Sequence, residues 1–230
     1  MQNIKAVIFD VDGVLLDSLE PHLRICRDKN VEYSLGLTIP SAEEFKGIVR
    51  SGKKISPMKY FFLSVGFPKH YADLATDYYN EYFMKEYAPK PFDGLDEALK
   101  TLKSENIGLG LVTSNVKSNI LCSLSEYLHY FPPNCILAKE DYAGDSKADA
   151  ILLVTERLGV LPTETLYVGD QIADKNAADD AGVQFVGVNY GWGFSGDETE
   201  FPVYESTYDI AKQAISQSGD FQPSCPNSCT

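Results

Sequence analysis

The sequence predicts an α/β protein, with a parallel sheet at its core and a block of helices inserted near the start of the chain. Two observations indicate this fold class. Beyond residue 90, short apolar segments alternate with amphipathic helical segments. Residues 18–89, by contrast, carry helical patterning without a strand signal. Strands that alternate with helices form parallel sheets that helices cover on both faces.

The individual elements follow from these patterns in chain order. The first strand is the unbroken apolar run at residues 6–9, and Ser18 is a candidate N-cap for the helix after it. Glycine and proline separate the segments that follow. The later helices are expected at residues 42–49, 55–65, 70–87, 95–104, 116–128, 149–158 and 173–181, and the later strands at 107–112, 135–138, 166–168 and 184–188.

This order of elements predicts a discontinuous domain organisation. Residues 1–17 and 90–216 are expected to form the sheet-containing core, and residues 18–89 a helical cap. The segment 217–230 is rich in proline, serine and cysteine, and we expect it to be disordered.

Composition excludes several classes of partner. A net charge of −13 over 230 residues argues against nucleic acids and anionic membranes, which require a basic surface. No segment approaches the roughly 18–20 apolar residues of a membrane span, and the first residues lack the pattern of a signal peptide. The five scattered cysteines do not form a disulfide framework. We therefore expect a cytoplasmic protein, either a monomer or a homodimer.

Two carboxylates, Asp10 and Asp12, follow the first strand and precede Gly13. Side chains two residues apart on an extended backbone point the same way, so the two carboxylates should lie close together. Like charges at that distance require a proton or a cation beside them. The pair therefore indicates a metal-assisted carboxylate site, with a plain polar turn as the alternative.

Polar side chains also follow other predicted strands of the sheet. Ligands of open α/β sheets bind beyond the carboxyl ends of the strands. The residues with chemical capacity at these ends are Thr113, Ser114, Asn115, Asp170 and Asp174, and Lys147 precedes a predicted helix. Each has an ordinary explanation as a turn or a helix start, but their combination indicates one site.

In this order, the residues resemble the motifs of the haloacid dehalogenase superfamily, in the branch with a helical cap after the first motif. Asp10-Val-Asp12-Gly13-Val14 is similar to the first motif, and Leu109 to Thr113 to the second. Lys147 matches the third motif without the proline that commonly follows, which leaves Lys139 as an alternative. Gly169-Asp170 with Asp174 resembles the fourth. The resemblance implies a Rossmann-like core.

The resemblance also implies phosphoryl transfer through an aspartyl phosphate. Asp10 would be the nucleophile, and Asp12 the acid and base that serves the leaving alcohol and then water. Mg²⁺ would be held by Asp10, the backbone carbonyl of Asp12, Asp170 and Asp174. Thr113, Ser114, Asn115 and Lys147 would bind the phosphoryl oxygens, with catalytic roles for Thr113 and Lys147. The expected substrate is a small phosphorylated metabolite such as phosphoglycolate or a sugar phosphate.

The cap is expected to select the substrate. Residues 45–72 contain no Asp or Glu but six basic residues, so Arg50 and Lys53 are candidates for binding a second anionic group. A solvated helical face is the alternative. Glu20 and His22 fall where β-phosphoglucomutases carry similar residues, so a sugar-phosphate mutase is the second hypothesis. A non-catalytic phosphometabolite-binding protein is the third, although such a protein would not need Asp12.

Overall fold

The computed structural model describes residues 3–142, 144 and 146–217, and it has the α/β architecture that the sequence predicts. The tail that we expected to be disordered lies outside the described residues, apart from Gln217. The strands are β1 (Ala6–Phe9), β2 (Leu16–Asp17), β3 (Lys90–Pro91), β4 (Gly108–Val112), β5 (Ile136–Leu137), β6 (Thr165–Gly169), β7 (Gln184–Val188) and β8 (Val203–Tyr204). The helices are α1 (Leu19–Glu32), α2 (Ala42–Arg50), α3 (Met58–Ser64), α4 (Lys69–Glu86), α5 (Leu95–Ser104), α6 (Lys117–Ser123), α7 (Lys147–Arg157), α8 (Ile172–Ala181) and α9 (Thr207–Gln217).

Six strands form one parallel sheet in the order β5-β4-β1-β6-β7-β8. The central strand β1 places Phe9 opposite Leu111 of β4 and Val168 of β6. All three strands therefore end at nearly the same level. The residues that follow them must emerge side by side at the carboxyl edge of the sheet.

Helices cover both faces of this sheet, as its buried strands require. On one face, α5 and α9 bury residues such as Leu99 and Ile210 against the strands. On the other face, α7 and α8 contribute Ile151, Val154 and Ala178. The sheet is thereby fixed from both sides, which makes its carboxyl edge a rigid platform.

Helices α1 to α4 lie between β2 and β3 in the chain, in the segment that we call the cap, and they share a hydrophobic cluster. Phe45, Phe61, Phe62 and Phe83 are fully or almost fully buried in it. The antiparallel pair β2 and β3 joins this cap to the core, with Leu16 opposite Pro91. The pairing brings the entry to the cap and the exit from it together. None of the described helices combines the length and apolar character needed to cross a membrane.

Two helix starts differ from those we expected, for local reasons. Helix α7 begins at Lys147 because Ser146 and Asp149 form a capping box, in which Asp149 N donates to Ser146 Oγ at 3.1 Å. Helix α3 begins only at Met58, directly after Pro57. Ser56 precedes this proline, and a residue before proline avoids helical geometry.

Two other predicted elements are shorter than expected, and β2, β3, β8 and α9 were not predicted. Helix α6 ends at Ser123 instead of residue 128, and only a short 3₁₀ turn follows at Leu128–Tyr130. The strand expected at 135–138 is reduced to two residues. The elements β8 and α9 follow the last strand that the sequence predicted. Strand β8 has only two residues, too few for a periodic signal.

Gly110 tests the close packing of α7 on the sheet. A Cβ at this position of β4 would collide with the Val154 side chain of α7. We expect Gly110→Ala to lower the free energy of unfolding by about 1–3 kcal/mol, because the helix must shift. Urea denaturation measures this change. Gly47→Ala is the matched control, because Gly47 lies inside α2 with open space around it, and it should stabilise by about 0.5–1 kcal/mol. Equal effects of both variants would contradict the packing.

Candidate active site

Three buried carboxylates meet at the carboxyl edge of the sheet. Asp10 follows β1, Asp170 follows β6, and Asp174 lies in the first turn of α8. Their side chains are almost inaccessible to solvent, with residue exposures of 7%, 0% and 2%. Each offers an oxygen within 4.8 Å of the oxygens of the other two. The structure thus brings together three of the four residues predicted as metal ligands.

Glycines make this close approach possible. Gly13 has a φ of +78°, which favours glycine, and a Cβ there would collide with the Asp170 carboxylate. A Cβ on Gly191, in the loop after β7, would collide with the same side chain. Asp170 Oδ2 accepts a hydrogen bond from Trp192 N at 2.6 Å. Glycine is therefore required at position 13 both by the backbone conformation of the turn and by the close packing of Asp170.

Lys147 is the cation that faces these carboxylates. Its Nζ lies 2.6 Å from Asp174 Oδ1 and 3.3 Å from Asp10 Oδ1. Burial alone would lower the pKa of Lys147, but Asp10 and Asp174 raise it well above its ordinary value. The Lys147 ammonium is therefore charged at neutral pH.

One ammonium does not balance the carboxylates around it. Burial raises the pKa of Asp10 to about 7, with Lys147 opposing the rise and Asp174 and Asp12 adding to it. Burial and the carboxylates of Asp174 and Asp10 also raise the pKa of Asp170 well above its usual range. A second positive charge is needed for all of these groups to be ionised together.

The residues present fit a divalent metal ion. Asp170 Oδ1 is buried and has no hydrogen-bond partner among the described residues, so one carboxylate oxygen is left for a cation. The donor set consists of oxygen atoms only, which is the preference of Mg²⁺. Asp10, Asp170 and Asp174 are the side chains that would hold such an ion.

Asp12 contacts a residue that follows β4. Asn115 Nδ2 donates to Asp12 Oδ2 at 2.7 Å, which fixes the direction of that carboxylate. Thr113 is buried, and its Oγ1 accepts a hydrogen bond from Asn115 N at 3.2 Å, so its hydroxyl proton remains available. Ser114 is exposed beside them. All four line one cavity of about 510 Å³, together with Asp10, Lys147 and Asp174.

The helical cap supplies the opposite wall of this cavity. His22 is buried there, and its Nδ1 donates to the Ser18 carbonyl at 2.6 Å while its Nε2 lies 3.1 Å from the Tyr79 hydroxyl. Burial lowers the pKa of His22, so the ring is neutral and accepts the Tyr79 proton. Tyr79 and its neighbour Asn80 were not identified from the sequence, because their place on this wall depends on how α4 packs.

This arrangement of residues agrees with the comparison against protein families. The sequence model of the haloacid dehalogenase-like hydrolases matches residues 7–188, which span the sheet edge and the whole cap. The chain belongs to this family. Five residues of the motifs that indicated the resemblance line the cavity, namely Asp10, Asp12, Thr113, Lys147 and Asp174.

Individual relatives of this hydrolase are similar over most of their length. An N-acetylmuramic acid 6-phosphate phosphatase from Pseudomonas aeruginosa is 27% identical, over 82% of this chain and 83% of its own. A phosphoglycolate phosphatase from Xylella fastidiosa is 29% identical, over 78% and 77%. Among solved structures, a haloacid dehalogenase-like family hydrolase from Streptococcus pneumoniae superposes with a TM-score of 0.73 at 21% identity, covering 91% of this chain and 98% of that one.

Arg50 and Lys53 are not brought to the cavity that contains Asp10. Arg50 Nε donates to the Gly193 carbonyl at 2.8 Å, and Lys53 Nζ donates to the Ser64 carbonyl at 2.9 Å. Both residues line a neighbouring cavity of about 470 Å³ between the cap and the core. In this hydrolase Arg50 thus connects α2 to the loop after β7.

That loop also carries Trp192, whose indole is buried in the cluster of the cap. The ring lies 5.8 Å from the ring of Phe61 and 5.1 Å from that of His22, measured between centroids. Its backbone N–H meanwhile donates to Asp170. Trp192 is therefore a buried packing residue that contacts both the cap and the Asp170 carboxylate.

The bond from Arg50 to this loop predicts how the cap rests on the core. We expect Arg50→Ala to loosen the contact and to expose Trp192, the one tryptophan of the chain, to water. Its fluorescence emission should shift to longer wavelength and be quenched more readily by acrylamide. Arg27→Ala is the control, since Arg27 pairs with Glu20 within α1 and forms no hydrogen bond or ion pair with the described residues of the core. Unchanged emission in Arg50→Ala would contradict the prediction.

Proposed function

We propose that this chain is a Mg²⁺-dependent phosphatase that hydrolyses a small phosphomonoester through an aspartyl phosphate on Asp10. One observation carries the proposal. Asp10, Asp12 and Lys147 line the same cavity, and Asp10 also belongs to a group of three buried carboxylates that could hold a divalent cation. The family and the named activities of the relatives support a phosphoric monoester hydrolase.

Asp10 is the nucleophile in this proposal. A carboxylate oxygen forms a bond to phosphorus while the bond from phosphorus to the alcohol oxygen breaks, and the electron pair leaves with that oxygen. Lys147, 3.3 Å from Asp10 Oδ1, favours the ionised carboxylate. Because Asp10 is buried, its side chain is held in one orientation. Less conformational entropy is therefore lost when the carboxylate attacks phosphorus.

Asp12 is the general acid and base. It donates a proton to the departing alcohol oxygen, and it then removes a proton from the water that attacks the aspartyl phosphate at phosphorus. Water provides the oxygen that completes inorganic phosphate, and Asp10 returns to its free form. Asp12 Oδ1 has no hydrogen-bond partner among the described residues, and Asn115 holds Oδ2, so one oxygen is left for proton transfer.

The remaining charges lie around the transferred phosphoryl group. Thr113 can donate its hydroxyl proton to a phosphoryl oxygen, and Lys147 and Ser114 lie on the same wall. A Mg²⁺ ion held by Asp10, Asp170, Asp174 and the Asp12 carbonyl would offset the negative charge of the phosphoryl oxygens. Little bulk water reaches this end of the cavity, because the side chains of Asp10, Asp170 and Asp174 are almost fully buried and that of Lys147 is only 17% exposed.

Hydrolysis is favoured here over mere binding of a phosphorylated metabolite. A binding protein would gain nothing from Asp12, whose carboxylate adds repulsion to the site and whose Oδ1 is unpaired. Both cited relatives are named phosphatases, which also favours hydrolysis over transfer to another sugar hydroxyl.

The nucleophile is tested by the isosteric variant Asp10→Asn. Because an amide is a very poor nucleophile towards phosphorus, we expect this variant to lose at least about 10³-fold in Mg²⁺-dependent phosphate release from p-nitrophenyl phosphate. Circular dichroism should show an intact fold. Asp93→Asn, in an exposed turn between β3 and α5, is the control and should retain wild-type turnover. Wild-type turnover of Asp10→Asn would disprove the assignment.

A further inference from the structure

The cap wall of the cavity that contains Asp10 is uncharged. Among the described residues, its polar side chains are Ser56, Tyr79, Asn80 and the neutral His22, and the others are Ile55, Pro57, Met58 and Phe61. No Lys, Arg, Asp or Glu of the described part of the cap lines it. A substrate held between Asp10 and the cap thus meets aromatic surface, amide and hydroxyl groups.

Two of these polar groups have no partner within the described protein. Ser56 and Asn80 are exposed at the cavity, and neither side chain makes a hydrogen bond to a described residue. Asn119, on the core side, uses its Nδ2 to bond Asn115 Oδ1 at 3.0 Å, which leaves its own Oδ1 as an acceptor. The cavity therefore offers both donors and acceptors several residues away from the carboxylates.

Among the described residues, no cation lies on the cap wall of this cavity. Lys147 contacts Asp10 and Asp174 at the sheet edge. Lys139 is exposed on the core side of the cavity, away from the residues of the cap. Arg50 and Lys53 line the neighbouring cavity and donate to backbone carbonyls. A carboxylate on the leaving group would lose its hydration without gaining a cation on the cap.

The size of the cavity gives a second criterion. At about 510 Å³ it lies in the range of roughly 300–1,000 Å³ typical of small-molecule sites. A two-carbon leaving group would leave most of this volume to water. A six-carbon sugar fills more of it and carries several hydroxyl groups that can pair with the side chains of Ser56 and Asn80.

We propose that the leaving group of the substrate is an uncharged, hydroxyl-rich alcohol of hexose size, which Asn80 and Ser56 of the cap bind. The proposal rests on the phosphatase function given above and names its substrate class. Hydroxyl groups replace the water that otherwise solvates these side chains. A site built to hydrogen-bond hydroxyl groups rejects analogues that leave its polar groups unpaired.

Steady-state kinetics on four probes test the proposal with the full-length protein and Mg²⁺. The probes are glucose 6-phosphate, N-acetylglucosamine 6-phosphate, phosphoglycolate and p-nitrophenyl phosphate. We expect kcat/KM for glucose 6-phosphate to exceed that for phosphoglycolate by at least about tenfold. N-acetylglucosamine 6-phosphate, as a second hexose, should also exceed phosphoglycolate. A preference for phosphoglycolate over both sugars would overturn the proposal.

Variants of Asn80 assign the selectivity to the cap. Asn80→Ala should lower kcat/KM for glucose 6-phosphate by about tenfold, mainly through KM, and should lower it much less for p-nitrophenyl phosphate. Asn80→Arg should shift the ratio towards phosphoglycolate, because it adds a cation opposite the carboxylate. Asp77→Ala, at an exposed position of the same helix outside the cavity, should change none of the ratios. Equal losses on all probes in Asn80→Ala would refute its selective role.

The probes also separate failure of this inference from failure of the phosphatase function. If p-nitrophenyl phosphate is hydrolysed and phosphoglycolate is the best metabolite, the phosphatase function stands and the substrate class is wrong. If wild-type protein releases phosphate from none of the probes with Mg²⁺ present, the phosphatase function itself fails, and the substrate class fails with it.

Discussion

The structure of this hydrolase depends on one electrostatic constraint, the burial of Asp10, Asp170 and Asp174 within 4.8 Å of one another. Three carboxylates at this distance repel strongly in a poorly solvated site. Lys147 offsets part of the repulsion by lying within ion-pair distance of Asp10 and Asp174. The negative charge that Lys147 does not offset could be balanced by a cation bound to the three carboxylates. The surrounding chain keeps these four side chains in place.

Several local features of the sequence follow from this constraint. The parallel register of β1, β4 and β6 ends the strands at one level, so that their polar residues meet. Gly13 and Gly191 leave room for Asp170 where any Cβ would collide. The Ser146–Asp149 capping box begins α7 at Lys147. A cation at a helix N-terminus is unfavourable, and the facing carboxylates compensate for that cost.

The cap and the carboxyl edge of the sheet contribute different groups to the cavity. In the proposed function, the core residues at the sheet edge carry out the phosphoryl chemistry, whereas the cap wall presents neutral groups such as Ser56 and Asn80. The loop after β7 connects the two parts, because Trp192 N donates to Asp170 while its indole packs against Phe61. Arg50 holds the same loop through the Gly193 carbonyl. The position of the cap and the geometry of the carboxylates are therefore mechanically linked.

The sequence predicts the sheet edge well because the relevant information is local. An apolar run that ends in a carboxylate places that carboxylate at a strand end, whatever the rest of the chain does. The cap is different, since Tyr79 and Asn80 reach the cavity only through the packing of α4. Arg50 was expected to bind substrate because of its charge, but its actual partner, Gly193, is 143 residues away in sequence. No local pattern encodes a contact with a carbonyl at such a separation.

The most direct test of the account is to identify the residue that carries the phosphoryl group during turnover. The protein is saturated with p-nitrophenyl phosphate and Mg²⁺, quenched rapidly with borohydride, digested and examined by mass spectrometry. Borohydride reduces an aspartyl phosphate to homoserine, so the account predicts homoserine at position 10 and unmodified Asp12, Asp170 and Asp174. Modification at another carboxylate, or active turnover that leaves every aspartate unmodified, would contradict it.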